Sequence, residues 1–342
     1  MKTKILVTII VLSFVSCHSS FAQGSLTPPG APAATMKTLA QIEPRTPIAS
    51  GPFTITTPGS YYLTTNVTVS AGTAITVSAN NVRLDLNGFT ISSTENPATT
   101  GYGILLNAVT NITIVRGFIS GGVTNNGGTY SGSGFGYGIF WTGSAPVNAR
   151  ISDVSISGCR VYGIHLGNNN SVVESCTVNT AGFYGILAGS VFDSTAQNCG
   201  NIGVVALFIA DNSYGSASGG GTGLQAYTAN NCYGVSVSSY GISATVATGC
   251  YGESDSGSAD GIYAATANNC TGYSYGSGDG VYASNIATGC FGSSSTGTGL
   301  YAFNAAFCTG TRSGGTAIQA VIANGCIAFS GTNIVTYKYN MP

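Results

Sequence analysis

Carboxylate side chains that could support acid–base chemistry occur in the stretch 150–193, which is the most charge-dense part of the chain. Asp153 and Asp193 lie at the same offset before two cysteines of a repeating phrase, with Asn170 between them. In a stacked repeat they would lie two coils apart, about 9–10 Å, near the upper limit for an inverting glycosidase pair. Charged side chains scattered on a solvated face give the same pattern, and that interpretation is favoured. The other charged or basic residues of this stretch are Arg150, Arg160, His165 and Glu174.

Asp260 and Asp279 form a second candidate pair, because each immediately precedes a repeated glycine. In adjacent coils they would lie about 5 Å apart, the spacing of a retaining pair, and close enough to share a calcium ion. Threonine and tyrosine fill the same position in other copies of the repeat. Asp and Thr both hydrogen-bond backbone groups at turns, so a structural turn is the favoured interpretation. We therefore assign no catalytic and no metal-binding residue.

Aromatic side chains give a stronger lead. The position two residues after the repeated glycine holds an aromatic or imidazole ring in five copies, and alternation places it on the outer face. Flat rings with polar tips suit sugar faces or protein partners, although stacked tyrosines also stabilise neighbouring strands. The predicted ligand-binding residues are Phe140, His165, Tyr263, Tyr282 and Tyr301. His165 itself is expected to be a surface histidine.

The element that must position these side chains is a repeat of 18–20 residues over 223–326. Each copy holds a glycine, an aliphatic residue, an alanine two positions later, a second alanine, and a cysteine preceded mostly by Asn or Gly. Apolar residues two apart predict a strand with one buried face, and Asn or Gly before the cysteine predicts a left-handed corner. The cysteines are Cys232, Cys250, Cys270, Cys290, Cys308 and Cys326.

A period of this length with short strands and corners is typical of a solenoid. Drifted copies extend the pattern upstream, with Ser213 in a cysteine position and with Cys159, Cys176 and Cys199 as further members of the cysteine row. Larger residues at the third inward position of early coils, Leu106, Trp141 and Leu166, predict a core that narrows along the axis. The predicted fold is all-β, a right-handed parallel β-helix of about ten coils.

Nine cysteines follow the first 22 residues, an odd number. Stacked cysteines point in the same direction, which strains a disulfide, so we expect a row of buried reduced thiols. One cysteine per coil makes a row and not a tetrahedron, so no metal is expected, and no cofactor is predicted.

Residues 1–22 have the pattern of an export signal, with Lys2 and Lys4 before an apolar run and a plausible cleavage site after Ala22. A lipid anchor at Cys17 is the less favoured alternative. We expect a linker over 23–35, an N-terminal cap over 36–73 with a short helix at 36–43 and strands at 53–56 and 60–70, and the β-helix over 74–342. The sequence predicts a secreted or cell-surface protein without a membrane span. The low charge content indicates no nucleic-acid partner.

The run TPGSYYLTTNVTVSAGTAITVSANNVRLDLNGFTIS (57–92), with MKTLAQIEPRTPI (36–48) before it, resembles bacterial exported right-handed parallel β-helix proteins of the pectin-lyase-like superfold. The Asn or Gly corner before an inward residue, from Asn198 to Gly325, resembles the two-residue bend of that fold. The resemblance implies polysaccharide as a substrate or ligand class. The Asn-Thr-Asp, Asp-Asp and Gly-His-Gly motifs of polygalacturonase-type hydrolases are absent from the sequence.

The sequence is compatible with three functions. The favoured hypothesis is a non-catalytic exported β-helix that binds polysaccharide or a cell-surface partner through its outer face. The alternatives are a lyase or glycosidase acting on acidic glycans through the 150–193 stretch, and a purely structural or adhesive stalk. The Gly-rich insertion at 121–137 fits either a functional loop or a flexible one.

Overall fold

The computed structural model describes residues 43–341, and this part of the chain is a parallel β-solenoid. It contains strands and no helix. One continuous 29-stranded sheet winds around the axis, and a two-stranded antiparallel hairpin is added to it. The all-β stacked-coil fold predicted from the sequence is therefore confirmed. The predicted signal, linker and capping helix lie outside the described residues, apart from Glu43.

Short strands separated by tight corners make up each coil. The first fifteen are β1 Thr46–Ile48, β2 Phe53–Ile55, β3 Gly59–Leu63, β4 Val67–Val69, β5 Ile75–Val77, β6 Val82–Asp85, β7 Thr90–Ser93, β8 Tyr102–Asn107, β9 Thr110–Ser120, β10 Thr124–Asn126, β11 Thr129–Ser131, β12 Tyr137–Thr142, β13 Val147–Cys159, β14 Tyr162–His165 and β15 Val172–Glu174. The remainder are β16 Thr177–Ala181, β17 Ile186–Phe192, β18 Thr195–Cys199, β19 Val204–Asp211, β20 Tyr214–Ala217, β21 Leu224–Asn230, β22 Tyr233–Ser236, β23 Ile242–Thr248, β24 Tyr251–Ser254, β25 Ile262–Asn268, β26 Thr271–Ser274, β27 Val281–Thr288, β28 Phe291–Ser294, β29 Leu300–Ala306, β30 Thr309–Asn324 and β31 Ile327–Tyr339.

These strands form three ladders of parallel pairs, which we call the first, second and third faces in the order in which the chain visits them. The first face begins with β2, β5, β8, β12 and β14. It continues through the first halves of the odd-numbered strands from β17 to β29. The second face follows a corner after the first, and from β17 onward both faces share one long strand. The third face includes β4, β7, β16, β18 and the even-numbered short strands from β20 to β28.

The solenoid has about 14 turns, so the predicted count of about ten is wrong. Two features hid coils from the sequence. Successive first-face strands begin at Phe53, Ile75, Tyr102, Tyr137 and Tyr162, so the early coils are longer than the later repeat. Strands expected within an N-terminal cap also stack on the next coil: Phe53 pairs with Ile75, and Tyr61 pairs with Leu84.

Core composition changes along the axis as the inward side chains become smaller. Before Cys159 the buried side chains are mainly isoleucine, leucine and valine, and alanine is infrequent among them. From Ala226 onward, the buried positions hold mainly alanine, cysteine and one aliphatic residue per coil. The predicted narrowing of the core is consistent with this change. Trp141 is half-buried and packs against the core, as expected for a residue that fills a wide coil.

One inward column, which we call the thiol column, contains the six late cysteines as predicted. Tyr251, the residue after Cys250, donates its N–H to the carbonyl of Cys232 in the preceding coil. The equivalent bond joins each later pair of successive cysteines as far as Cys326. Ser213 occupies the column as expected, and Ser194 also belongs to it. The members are Cys176, Ser194, Ser213, Cys232, Cys250, Cys270, Cys290, Cys308 and Cys326.

Cys159 and Cys199 do not belong to the thiol column, so that part of the prediction is wrong. They lie in an inward column of the third face, where Cys159 pairs with Ala181, Ala181 with Cys199, and Cys199 with Ala217. Asn198 precedes Cys199 with φ of 56°, just as Asn231 precedes Cys232 with φ of 49°. Two different corners therefore share one sequence signature, and the sequence could not tell them apart.

All nine cysteines of the described chain are buried and free. Burial raises the pKa of Cys159 and Cys199 to about 12, so both stay protonated at neutral pH. In the thiol column the Cys270 Sγ–H faces the carbonyl of Asn268 at 3.2 Å. The Ser213 hydroxyl donates to the carbonyl of Asp211 at 2.9 Å, which is the equivalent bond.

The predicted left-handed corner before the thiol column is confirmed. Its residues have φ between 46° and 63° from Asp193 to Gly325. Asn and Asp tolerate this conformation because their short side chains bond locally, and Gly tolerates it because it has no Cβ. Phe307 adopts it as well, with φ of 54°.

The insertion at 121–137 is an ordered hairpin, β10–β11, that lies against later coils. The Tyr130 Oη donates to the carbonyl of Asn198 at 3.1 Å and bonds Ser218 Oγ at 2.9 Å. Asn125 Nδ2 donates to Asn198 Oδ1 at 2.7 Å. A Cβ on Gly200 would lie 3.0 Å from the Tyr130 ring, so glycine at this position allows the close approach.

Replacing Tyr130 with Ala should release the hairpin, because it removes the ring packed on Gly200 and both hydroxyl contacts. We expect limited proteolysis within 121–132 to become about tenfold faster while the global melting temperature changes little. Tyr227→Ala, which removes an exposed ring elsewhere, is the control. Equal cleavage of Tyr130→Ala and the control would contradict this role.

Replacing Cys270 with Ser should be tolerated, because Ser194 and Ser213 already occupy the thiol column with the same hydrogen bond. We expect the free energy of unfolding to fall by less than about 1 kcal/mol in urea denaturation. Cys270→Leu, which overpacks the same position, should lose about 1–3 kcal/mol. Unfolding of the serine variant under conditions that leave the leucine variant folded would refute the equivalence.

Candidate functional site

The five predicted ligand-binding residues lie in one outward column of the first face. Tyr263 pairs with Tyr282, and Tyr282 pairs with Tyr301. Phe140 pairs with Leu105, and His165 pairs with Leu187. Four coils without an aromatic ring at this position separate the two groups: Leu187, Val205, Gln225 and Ser243.

Tyr263, Tyr282 and Tyr301 form what we call the tyrosine stripe. Their ring centroids are 5.1 and 4.8 Å apart, with interplanar angles of 6° and 3°. The ring faces therefore cover one another, and ring edges and hydroxyl groups remain to meet solvent. None of the three hydroxyls has a hydrogen-bond partner within residues 43–341. The stripe thus presents a row of hydroxyls that repeats once per coil.

The stripe has a different neighbour at each end. Tyr240 lies 5.0 Å from Tyr263 between ring centroids, with a tilt of 38°. Beyond Tyr301 a cavity of about 150 Å³ is lined by Tyr301, Gln319, Ile334 and Thr336, among other residues. This half-open cavity offers a ligand a recessed contact at the C-terminal end of an otherwise open surface.

Phe140 and His165 belong to a larger N-terminal aromatic cluster. Its rings are stacked or tilted against one another at centroid distances of 4.3–6.0 Å, and the members are Tyr102, Tyr137, Phe140, Trp141, Tyr162, His165, Phe183 and Tyr184. The four tyrosines of this cluster were not among the residues predicted from the sequence. Tyr102, Tyr137, Tyr162 and Tyr184 each immediately precede a repeated glycine, so that position carried a signal that could have found them.

His165 is half-buried, which differs from the exposed surface histidine that was predicted. Its ring centroid lies 5.1 Å from that of Phe140 and 4.9 Å from that of Tyr162. Burial lowers the His165 pKa to about 4, so the imidazole is neutral at physiological pH. Its Nδ1 is buried without a hydrogen-bond partner, as is Nε1 of Trp141. Packing by three aromatic rings therefore replaces solvent around the imidazole.

Asp260 and Asp279 bond the backbone of the following coil, which supports the predicted structural role. Asp260 Oδ1 accepts from the N–H of Asp279, and Asp279 Oδ1 accepts from the N–H of Thr298, both at 2.7 Å. Burial raises the Asp260 pKa to about 7, and repulsion from Asp279 acts in the same direction. Burial also raises the pKa of Asp279.

Asp153 and Asp193 occupy the corner before the thiol column, with φ of 56° and 46°. Ser175 lies between them in this column, in the place where the sequence suggested Asn170. Asp193 accepts a hydrogen bond from Asn212, and Arg150 pairs with Glu174. The corner conformation and these pairs account for the charge-dense stretch in structural terms.

Within residues 43–341, no three His, Cys, Asp or Glu side chains converge in a way that could hold a metal ion. The same range contains no helix with the length and hydropathy of a membrane span.

Comparison with known proteins adds no family assignment. No protein-family model, curated protein or solved structure matches the chain. The parallel β-solenoid and its surface columns are therefore the basis for inference about function.

The raised pKa of Asp260 predicts a pH-dependent stability. Between about pH 4 and 7 the folded chain retains a proton that the unfolded chain releases, so the free energy of unfolding should fall as pH rises. Asp260→Asn keeps an acceptor for the Asp279 N–H and cannot titrate. The variant should be more stable than wild type at pH 8, with a shallower slope in urea denaturation between pH 4 and 8. Asp255→Asn, at an exposed position, is the control, and a slope unchanged from wild type in Asp260→Asn would contradict the assignment.

Proposed function

We propose that this chain is an exported, non-catalytic β-helix protein of the pectin-lyase-like type that binds a neutral polysaccharide along its first face. The observation that carries the proposal is the outward column in which Tyr263, Tyr282 and Tyr301 stack at 4.8–5.1 Å. Their unpartnered hydroxyls repeat at the coil spacing, and a polymer with regularly spaced hydroxyl groups can engage several of them at once.

The N-terminal aromatic cluster on the same face supports the proposal. It adds apolar ring surface, and apolar ring surface can pack against the C–H faces of sugars. Phe183 is 37% exposed within it. An extended ligand that followed the face would meet both aromatic groups and, beyond Tyr301, the cavity lined by Gln319 and Thr336.

Charge favours a neutral polymer over an acidic one. The chain contains no Lys or Arg between Val161 and Thr311, whereas it carries seven Asp or Glu residues in that range. Asp260 and Asp279 lie in the column next to the stripe. An acidic glycan would therefore be repelled here, because like charges close together are destabilising. Recognition of acidic glycans by a lyase or glycosidase receives no support from this face.

A pair of triple variants tests the proposal on the full chain. In Tyr263→Ala/Tyr282→Ala/Tyr301→Ala the rings and hydroxyls are lost, and we expect neutral-glycan binding on an array to weaken by about 10- to 100-fold. In Tyr263→Phe/Tyr282→Phe/Tyr301→Phe the stacking remains and the hydroxyls are lost, so binding should weaken while the melting temperature stays near that of wild type.

The matched control is Tyr227→Ala/Tyr275→Ala/Tyr339→Ala, which removes three exposed rings outside the stripe and should leave binding unchanged. Absence of binding to any glycan by the wild-type chain would remove the proposal. Equal binding by wild type and both stripe variants would show that the stripe supports the strands laterally and does not bind the polymer.

A further inference from the structure

A second surface, distinct from the first face, has the features of a small-molecule site. It is a groove of about 270 Å³ along the corner between the second and third faces. We call it the corner groove, and its lining residues are Asp193, Thr195, Asn212, Ser213, Tyr214, Asn231 and Tyr233. Its volume is just below the usual range for ligand pockets, which suits a single ring and not a long polymer segment.

The floor of the corner groove is polar because the fold requires it. Asp193, Asn212 and Asn231 are successive members of the left-handed corner, with φ of 46°, 49° and 49°. Asn212 Nδ2 donates to Asp193 Oδ1 at 2.6 Å. The second carboxylate oxygen of Asp193 and the amide of Asn231 have no partner within the described residues. These groups are therefore free to bond hydroxyl or amino groups of a ligand.

Two tyrosines form the wall of the groove. Their rings, on Tyr214 and Tyr233, meet edge to face at a centroid distance of 5.2 Å and an angle of 73°. Tyr233, which is 40% exposed, also meets Tyr251 edge to face at 4.6 Å on its other side. Tyr214 pairs with Thr195 of the preceding coil, so no ring of the described residues covers Tyr214 on the side toward Asp193. The Tyr233 hydroxyl also contacts Glu253 Oε2 at 3.4 Å, so a second carboxylate adjoins this wall.

The electrostatic environment of the groove is anionic. Its coils belong to the range without Lys or Arg, and Arg160 at the start of that range donates to the carbonyl of Ala98. Arg150, on the second face two coils from Asp193, is paired with Glu174. A carboxylate beside an open tyrosine face, without a competing cation, is the combination that attracts an ammonium group.

We propose that the corner groove binds an amino sugar with a free amine. The ammonium group lies against the Asp193 carboxylate and the uncovered side of the Tyr214 ring, which is one coil away. Ring hydroxyls bond Asn212, Asn231 and Thr195, and these three partners distinguish a sugar from a lysine side chain, which carries no hydroxyls. This site is independent of the proposed function, because none of its residues belongs to the first face.

Saturation-transfer NMR on the full chain tests the site with glucosamine, glucose and N-acetylglucosamine as probes at pH 6.5. We expect glucosamine to bind with a dissociation constant in the range of about 0.1–10 mM, as is usual for weak single-ring ligands. The two uncharged sugars should bind at least about tenfold more weakly, because they lack the charge that Asp193 and Tyr214 recognise.

Asp193→Asn should weaken glucosamine binding by about tenfold or more, because the ion pair is lost while the left-handed corner is kept. Asp153→Asn is a matched control: it changes the same corner column two coils away, outside the groove, and should leave binding unchanged. Tyr214→Ala should also weaken binding, and the triple alanine variant of the tyrosine stripe should bind glucosamine as wild type does.

Two results would overturn the proposal. Equal affinity for glucose and glucosamine would show that no ammonium group is recognised. Unchanged glucosamine binding in both Asp193→Asn and Tyr214→Ala would place the ligand elsewhere. Because the stripe variants are read with neutral glycans and the groove variants with glucosamine, either site can fail without the other.

Discussion

Parallel hydrogen bonding between successive coils is the constraint on which the rest of the molecule depends. Each coil is too thin to bury its own apolar side chains, so it gains a core only by stacking in register on its neighbours. The same register that stacks Ala244 on Ala226 inside the solenoid stacks Tyr282 on Tyr263 outside it. Surface columns are therefore a direct consequence of how the core is made.

The corners impose a second requirement, which fills parts of the surface with polar side chains. A tight turn into an inward residue needs a left-handed backbone, and Asn, Asp and Gly supply it with least strain. Asp153 and Asp193 satisfy the same geometric need. What separates them is their surroundings, since only Asp193 faces a groove with Tyr214 and Tyr233. The left-handed corner thus places Asn and Asp side chains on the surface. Whether they can bind a ligand depends on the side chains of the adjacent column.

Charge is distributed unevenly along the solenoid. Among the early coils Asp85, which is 1% exposed, pairs with both Arg45 and Arg116. The later coils carry carboxylates and no Lys or Arg until Arg312. Long-range attraction to this part of the surface therefore favours neutral or cationic ligands over acidic ones. The fold resemblance suggested an enzyme for acidic glycans as an alternative. The carboxylates of the later coils would repel such a substrate.

The sequence by itself determined the architecture, the inward alanine and cysteine positions from 223 to 326 and the outward tyrosines, because a period near the coil length turns recurring residue types into columns. Only the tertiary structure decided the number of coils, the column of Cys159 and Cys199, and the corner groove. Two different corners both have an Asn before an inward residue, so the sequence does not distinguish their columns. The early coils are longer than the later repeat, so the sequence period does not reveal them. Moreover, groups such as Asp193 and Tyr214 border one groove only when the strands around a corner take up their register. Local residue patterns specify which face a side chain joins, whereas contacts between columns depend on how whole coils are wound.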